Sequence, residues 1–307
     1  MIKELEYVEA QGVNPKLLEA VCDFRNEYKL DEAVESRVER PRIEFYGKEV
    51  LEMALAAVLQ GENILLTGSK ATGKNVLAEN LSYIFNRPSY NVSFHVNIDS
   101  AALIGTDTFI DNEVKLRRGP VYNCGLYGGF GIFDEINMAK NDAVSVLHSV
   151  LDYRRIIDVP GYDKLKLHPA TRFIGTMNYG YVGTRELNEA LVSRFMVIDM
   201  PAVTEDTIMI LLKKEYPDAD LASLEQFAGL FMDLQTKAQN GEITTKPLDL
   251  RGMIAAVGTI KTGLSPALAI RMGIINKSFD AFEKEIVEDI VMTRVPDTLT
   301  CGDVFNA

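Results

Sequence analysis

A glycine-rich turn between an apolar strand and a helical run constrains the fold of this chain more than any other segment. Asn63–Thr67 is predicted to be a buried strand, and Val76–Phe85 has the pattern of a helix. Between them, residues 68–75 read Gly-Ser-Lys-Ala-Thr-Gly-Lys-Asn. A strand, a glycine-rich loop and a helix in this order are typical of a phosphate-binding loop. Backbone N–H groups and the positive end of the helix dipole then bind anionic oxygens. We therefore expect the chain to bind a nucleoside triphosphate.

The loop defines a set of expected nucleotide contacts. Lys74 is expected to reach the β- and γ-phosphates. The full set consists of Gly68, Ser69, Lys70, Ala71, Thr72, Gly73, Lys74, Asn75 and Val76. A chance glycine-rich turn is the alternative, and the flanking strand and helix argue against it.

Asn75 departs from the usual pattern of this loop. The position after the lysine is normally Ser or Thr, whose hydroxyl binds Mg²⁺. An amide carbonyl is also a hard oxygen ligand, so Asn75 is a candidate Mg²⁺ ligand, directly or through water. Because the amide is bulkier than a hydroxyl, the departure predicts impaired hydrolysis rather than lost binding.

Two carboxylates follow a second predicted strand. The segment Gly131–Asn137 reads as a short buried strand that ends in Asp134 and Glu135. In a parallel sheet, residues at the carboxyl ends of strands face the ligand crevice. We expect Asp134 to hold Mg²⁺ and Glu135 to polarise the attacking water as general base. A solvated strand end is the alternative, and the order and distance from the phosphate loop disfavour it.

The order of these motifs resembles the AAA+ ATPases, and most of all their MoxR-like and dynein-related branch. The resemblance spans roughly residues 44–262. The segments that carry it are residues 68–75, Leu103–Thr106, Arg118–Pro120, Asp134–Asn137, Gly175–Asn178 and Leu187–Phe195. It implies ATP and Mg²⁺ as cofactors, a sensor-1 asparagine at Asn178, an arginine finger at Arg194 and a sensor-2 arginine at Arg251.

The residues themselves leave alternatives open for these three roles. Asn178 ends a predicted strand and could position the lytic water beside Glu135, or it could cap a turn. Arg194 could stabilise a γ-phosphate on a neighbouring subunit, with Arg185 as a second candidate. Its alternative is an ion pair within the chain, to Glu189 or Asp199. Arg251 lies on a predicted helix, where an arginine is commonly solvated or paired.

The pattern of elements predicts an α/β fold, and the resemblance implies that it is of the P-loop NTPase (AAA+) type. Alternating strands and helices over residues 44–201 indicate a parallel sheet sandwiched by helices. Residues 202–307 read as an all-α lid, in which Pro266–Glu283 is predicted to be one helix. Hairpin insertions are expected near residues 103–119 and 155–168, where in this branch they line a pore, although surface decoration is the alternative.

The first 43 residues read as a charged helical arm. Leu17, Val21 and Phe24 share one helical face after the start signal Asn14-Pro15. Since this segment is too small for a core of its own, we expect it to dock on the next domain.

Composition excludes several function classes. The 307 residues carry a net charge of −12, which argues against non-specific nucleic-acid binding. Three widely spaced cysteines without paired histidines suggest no disulfide framework or zinc site, and fit a reducing compartment. Acidic residues at the N-terminus predict no targeting signal, and the apolar stretches are too short to insert into a membrane. We therefore expect a cytoplasmic protein.

These expectations combine into a functional hypothesis. The resemblance implies a ring homo-oligomer, with six subunits expected, that uses ATP to remodel a protein client such as a von Willebrand A domain protein. One alternative is an NTP-driven motor of a nucleic-acid machine, with GTP as its fuel, which the acidic balance disfavours. Another is a slow, nucleotide-gated scaffold, which Asn75 favours.

Overall fold

The computed structural model describes residues 3–110, 112–178 and 186–305. The chain divides into two compact units. The first unit comprises Met1–Ser69 and Gly73–Pro201, and the second comprises Lys70–Thr72 and Ala202–Ala307.

The first unit is built on a parallel sheet, as the sequence predicts. The strands of the described residues are β1 (Ile64–Gly68), β2 (Ser89–Ser93), β3 (Gly105–Ile110), β4 (Glu113–Arg118), β5 (Phe130–Asp134), β6 (Ile156–Ile157), β7 (Leu165–Lys166), β8 (Arg172–Asn178) and β9 (Met196–Asp199). Five of them form the sheet in the order β2-β5-β8-β1-β9, and every neighbouring pair is parallel. The sequence pattern over Tyr90–Asn97 also predicts a strand, but β2 ends earlier, at Ser93.

Helices cover both faces of this sheet. In the first unit the α-helices are Glu6–Glu9, Pro15–Glu27, Lys48–Leu59, Lys74–Ile84, Ser100–Ile104, Pro120–Tyr127, Asn141–Val144, His148–Leu151 and Glu189–Val192, and the 3₁₀ turns are Lys3–Leu5, Glu32–Arg37, Ile136–Met138 and Ser145–Leu147. Successive strand residues point to opposite faces, so Ile64 and Leu66 join one core cluster and Leu65 joins the other. Burial on both sides explains why β1 reads as a continuous apolar run.

The N-terminal arm packs on this unit. Asn14 caps the helix Pro15–Glu27 through its side chain, which accepts a hydrogen bond from the backbone N–H of Lys16 at 3.0 Å. Leu18, Val21 and Phe24 are buried in the same core cluster as the helix Lys48–Leu59, while Leu17 is partly buried against it. The arm therefore shares a core with the sheet instead of forming one.

The segments near residues 103–119 and 155–168 contain antiparallel hairpins. Strands β3 and β4 pair from Gly105↔Arg118 to Ile110↔Glu113. Strands β6 and β7 pair over only two residues each. The second hairpin turns at Pro160-Gly161, where Gly161 has a φ of +88° and the N–H of Tyr162 donates to the carbonyl of Val159 at 3.0 Å. Glycine adopts this φ without strain.

The second unit is helical. Its α-helices are Glu205–Glu215, Leu221–Gln239, Leu250–Lys261, Pro266–Gly273, Ala281–Arg294 and Cys301–Val304, with a 3₁₀ turn at Ile275–Lys277. No helix among the described residues is both long and apolar enough to cross a bilayer.

The prediction of one helix over Pro266–Glu283 is wrong. The helix ends at Gly273, where it lies so close to a neighbouring helix that a Cβ on Gly252 would be 2.3 Å from the Gly273 carbonyl oxygen. A new helix begins after Asp280, whose carboxylate accepts a hydrogen bond from the N–H of Glu283 at 2.8 Å. Asp280 and Glu283 have the spacing of an N-terminal cap, so this start could have been found in the sequence.

Candidate functional site

The predicted site residues of the first unit meet at the carboxyl edge of the sheet. Gly68, which ends β1, pairs in register with Asn178, which ends β8. On the other side of β8 lies β5, which ends at Asp134. Because parallel strands point the same way, their last residues form one edge, and this edge is where α/β proteins bind ligands.

Glycines shape the two ends of the phosphate loop. Gly68 has a φ of +140°, and a Cβ at this position would lie 3.0 Å from the backbone oxygen of Met200. Gly73 has a φ of +83° and precedes the first residue of the helix Lys74–Ile84. A Cβ on Gly73 would lie 3.3 Å from the ring of Phe45. Both positions therefore require glycine for conformation and for space.

Lys74 is a buried cation at the start of this helix. Its side chain is only 6% exposed, and its Nζ donates to the carbonyl oxygens of Gly68 at 3.1 Å and Ser69 at 2.6 Å. Burial lowers the pKa of Lys74 to about 8, although the carboxylates of Asp134 and Glu135 act in the opposite direction. A phosphate oxygen at this position would give the ammonium a charged hydrogen-bond partner.

Thr176 connects the two predicted catalytic carboxylates. Its hydroxyl donates to Oδ1 of Asp134 at 2.7 Å and accepts from the backbone N–H of Glu135 at 3.1 Å. Thr176 is 1% exposed. Glu135 itself has a φ of +54°, an uncommon value for a non-glycine residue, so the chain turns sharply after Asp134. The sequence alone gave Thr176 no role, and its one signal is that it is a polar residue in a buried strand.

Asn178 lies beside Glu135. Its Nδ2 donates to Oε1 of Glu135 at 3.3 Å. The backbone oxygen of Asn178 accepts from Nδ2 of Asn137 at 3.1 Å. The fold thus brings Asn178 together with Glu135 and Asn137, which lie about 40 residues earlier in the chain.

The candidate Mg²⁺ ligands are an aspartate and an amide. Asp134 has Oδ1 bonded to Thr176, which leaves its second oxygen for a cation. Asn75 is the second residue of the helix Lys74–Ile84 and is partly buried. Among the described residues no group of three or more His, Cys, Asp or Glu is arranged to hold a metal. This donor set fits Mg²⁺, which keeps several waters and binds one or two protein groups together with phosphate oxygens.

Arg194 is held by contacts within its own chain. Its Nε donates to the carbonyl of His148 at 3.3 Å, its Nη1 to the carbonyl of Ala190, and its Nη2 lies 3.9 Å from Asp152. The acidic partner is therefore Asp152 and not Glu189 or Asp199, so those two predicted partners are wrong. Asp199 instead accepts a hydrogen bond from the Thr67 hydroxyl at 3.1 Å.

Arg154, which sequence analysis missed, shares Asp152 with Arg194. Its guanidinium donates to both carboxylate oxygens of Asp152, at 2.7 to 3.1 Å. These hydrogen bonds hold the pKa of Asp152 below its usual range. Asp152 is therefore anionic at neutral pH and lies next to two arginines.

The other two arginines named from the sequence are Arg251 and Arg185. Arg251 is the second residue of the helix Leu250–Lys261 in the second unit, and its side chain is exposed. Arg185 lies outside the described residues.

Comparison with known proteins identifies the family. Residues 63–195 match the AAA domain of the dynein-related subfamily. The uncharacterized protein YojN of Bacillus subtilis is 34% identical over 80% of this chain and 82% of its own length. The uncharacterized protein SH1500 of Staphylococcus haemolyticus is 33% identical over 80% of this chain and 95% of its own length.

A solved structure from Cytophaga hutchinsonii aligns over 92% of this chain and 89% of its own chain at 16% identity. The TM-score of this alignment is 0.46. The family match and the two relatives cover the phosphate loop, both carboxylates and Asn178. By these matches the chain belongs to the AAA+ ATPases, in their dynein-related branch.

Proposed function

We propose that this chain hydrolyses ATP with Mg²⁺ at the carboxyl edge of its sheet. Lys74 carries this proposal: it is buried, and it lies close enough to Asp134 and Glu135 for their charges to raise its pKa against the effect of burial. A desolvated ammonium at a helix start favours phosphate oxygens as partners. The same edge holds two carboxylates, Asp134 to bind the metal and Glu135 to take a proton from water. Phosphoryl transfer uses both of these groups.

Asp134 and Asn75 are the groups that would hold Mg²⁺. The Thr176 hydroxyl donates to Oδ1 of Asp134, so the other carboxylate oxygen would bind the cation. When bound, Mg²⁺ would supply charge neutralisation at the phosphate oxygens. Lys74 would contribute the second positive charge on the same oxygens.

Glu135 is the proposed general base. Asn178 donates to its Oε1, which leaves Oε2 to accept the proton of an attacking water. The bond from the Glu135 N–H to Thr176 fixes the backbone, so the carboxylate is presented from a rigid turn. Asn178 also supplies a donor that can orient the same water, which is the sensor-1 role that the family implies.

Asn75 predicts slow turnover through imperfect metal coordination. Mg²⁺ demands near-ideal octahedral geometry, and a short hydroxyl side chain meets it more readily than an amide. We expect Asn75→Thr to lower the Mg²⁺ concentration for half-maximal ATP hydrolysis and to raise the turnover number, both measured by phosphate release over a Mg²⁺ titration.

Two other results of this titration contradict that explanation. If the threonine variant needs more Mg²⁺ and turns over more slowly, Asn75 is a ligand to which the loop is adapted. If neither quantity changes, Asp134, water and phosphate oxygens hold the metal alone. The first of these results would also weaken the case for a nucleotide-gated scaffold, since the asparagine would then serve catalysis.

We further propose that the chain works as a ring, with six subunits expected from the family. Arg194 would then act on the nucleotide of a neighbouring subunit. Its ion pair with Asp152 is long, at 3.9 Å, and Asp152 keeps Arg154 as a second partner. Arg194 can therefore leave Asp152 without stranding an unpaired carboxylate. For Arg251 we propose the sensor-2 role, on its position in the family motif alone.

Subunit mixing tests the role of Arg194. Arg194→Ala and Lys74→Ala subunits should each be inactive alone, because one lacks the finger and the other lacks the phosphate contact. Mixed rings should regain phosphate release, since some interfaces then combine an intact loop with an intact finger. Mass photometry verifies co-assembly, and Arg154→Ala is the matched control from the same cluster. Co-assembly without any recovery at every mixing ratio would assign Arg194 to intrachain structure.

The proposed substrate of the mechanical step is a protein, as in MoxR-like chaperones. The hairpin of β3 and β4 supports this because Phe109 and Val114, which pair across its strands, are 69% and 61% exposed. The hydroxyl of Tyr162 on the second hairpin donates to Asp107 on the first at 2.7 Å, so the two hairpins are linked. An exposed apolar pair on two linked hairpins suits contact with a polypeptide, and a von Willebrand A domain protein is the client the family suggests.

A further inference from the structure

We propose that Asn137 is a positioning residue, which holds the end of β8 so that the Asn178 amide lies on the Glu135 carboxylate. This inference rests on the proposed hydrolysis of ATP. Asn137 is not placed against ATP or the attacking water, and it acts through Asn178.

The backbone pairing of β5 with β8 stops short of the catalytic residues. The last pair in register is Phe133↔Gly175, because the chain turns away after Asp134 with the positive φ of Glu135. Beyond Gly175, hydrogen bonds from side chains take the place of backbone pairing between β5 and β8. The Thr176 hydroxyl accepts the Glu135 N–H, and the Asn137 amide donates to the Asn178 carbonyl.

Asn137 is placed for this contact by the turn that follows Glu135. It lies in the middle of the 3₁₀ turn Ile136–Met138 and is 3% exposed. Its Nδ2 must face the Asn178 carbonyl, since a carbonyl accepts and only the NH₂ end of the amide donates. This bond therefore fixes the orientation of the whole side chain.

The other end of the Asn137 amide is the oxygen Oδ1. Its Oδ1 is buried and has no hydrogen-bond partner among the residues that the structure describes. Buried polar atoms are nearly always paired, and an apolar side chain of similar shape would avoid the unpaired oxygen. The hydrogen bond that this buried amide makes is to the end of β8, which fits a positioning role.

The positioning acts along a short chain of contacts. Asn137 holds the backbone of Asn178, and the side chain of Asn178 then donates to Glu135 at 3.3 Å. Without Asn137, the last residue of β8 keeps its pairing to Gly68 on one side only. Misplacement of a catalytic group by about 1 Å can lower a rate by about a hundredfold.

The test is a double-mutant cycle on ATP hydrolysis with Asn137→Leu and Asn178→Ala. Asn137→Leu should lower kcat about tenfold or more and change KM for ATP by less than about twofold, since the phosphate loop is untouched. In the Asn178→Ala background the same change should lower kcat by less than about twofold, because Asn137 acts through Asn178. Asn141→Leu, an exposed position on the next helix, is the control.

Three results would overturn the proposal. An unchanged kcat in Asn137→Leu, with active wild type, removes the residue from positioning. Fully additive losses in the cycle assign it a role independent of Asn178. Wild-type protein that binds ATP without hydrolysing it refutes the proposed function, and this inference with it. If Asn137→Leu does not fold, Asn137→Asp is used in the same cycle, since it keeps the shape and removes the donor.

Discussion

Replacing Lys74 with alanine is expected to abolish ATP binding under ordinary assay conditions. The change removes the buried ammonium of Lys74, which donates hydrogen bonds to the carbonyls of Gly68 and Ser69. Truncating one partner of a buried charge pair costs about 2–5 kcal/mol, so the affinity should fall by about thirtyfold to several thousandfold. Isothermal titration calorimetry with ATP measures this loss.

Lys70 provides the matched control in the same loop. Its Nζ contacts the carbonyl of Lys246 at 3.4 Å, and its side chain is partly exposed. Since the loop is expected to bind phosphate through its backbone N–H groups, Lys70→Ala should lose far less ATP affinity than Lys74→Ala. If Lys74→Ala binds equally well, this loop is not the nucleotide site.

Repeating the titration against pH separates charge from shape. With the pKa of Lys74 lowered to about 8, the free protein carries the ammonium below pH 8 and loses it above. Phosphate binds the charged form, so affinity should be full below pH 8 and about tenfold weaker at pH 9. Lys74→Arg, whose guanidinium stays protonated, should show no such fall whatever its absolute affinity.

Replacing Glu135 with glutamine should stop turnover and leave ATP binding intact. The amide keeps the size and polarity of the side chain but cannot take a proton from water. A general base contributes about a hundredfold to ten-thousandfold, so phosphate release should fall by at least the lower figure. Calorimetry checks that affinity is retained, and mass photometry checks for an ATP-stabilised oligomer. An unchanged rate of phosphate release would remove Glu135 from the mechanism.

Much of the sheet could be predicted because its strands are buried on both faces. Continuous apolar runs such as Ile64–Leu66 mark such strands, and glycines and carboxylates mark their carboxyl ends. The phosphate loop, Asp134 and Glu135 were therefore visible as local patterns. They follow from short segments whose meaning depends little on the rest of the chain.

The supporting contacts could not be predicted because they join distant segments. Thr176 binds groups about 40 residues away, and Asp152 meets Arg194 at a similar separation. No local pattern distinguishes Thr176 from a threonine that merely packs in a strand. The close contact between Gly273 and Gly252 is of the same kind, since it depends on how two helices of the second unit pack.

The most direct test of the central claim is the release of inorganic phosphate from ATP by the purified wild-type chain, with and without Mg²⁺, beside Glu135→Gln. We expect steady release from wild type that requires Mg²⁺, and release from the variant lower by about a hundredfold or more. Wild-type protein that binds ATP but releases no phosphate, or a variant that matches its rate, would contradict hydrolysis at this site.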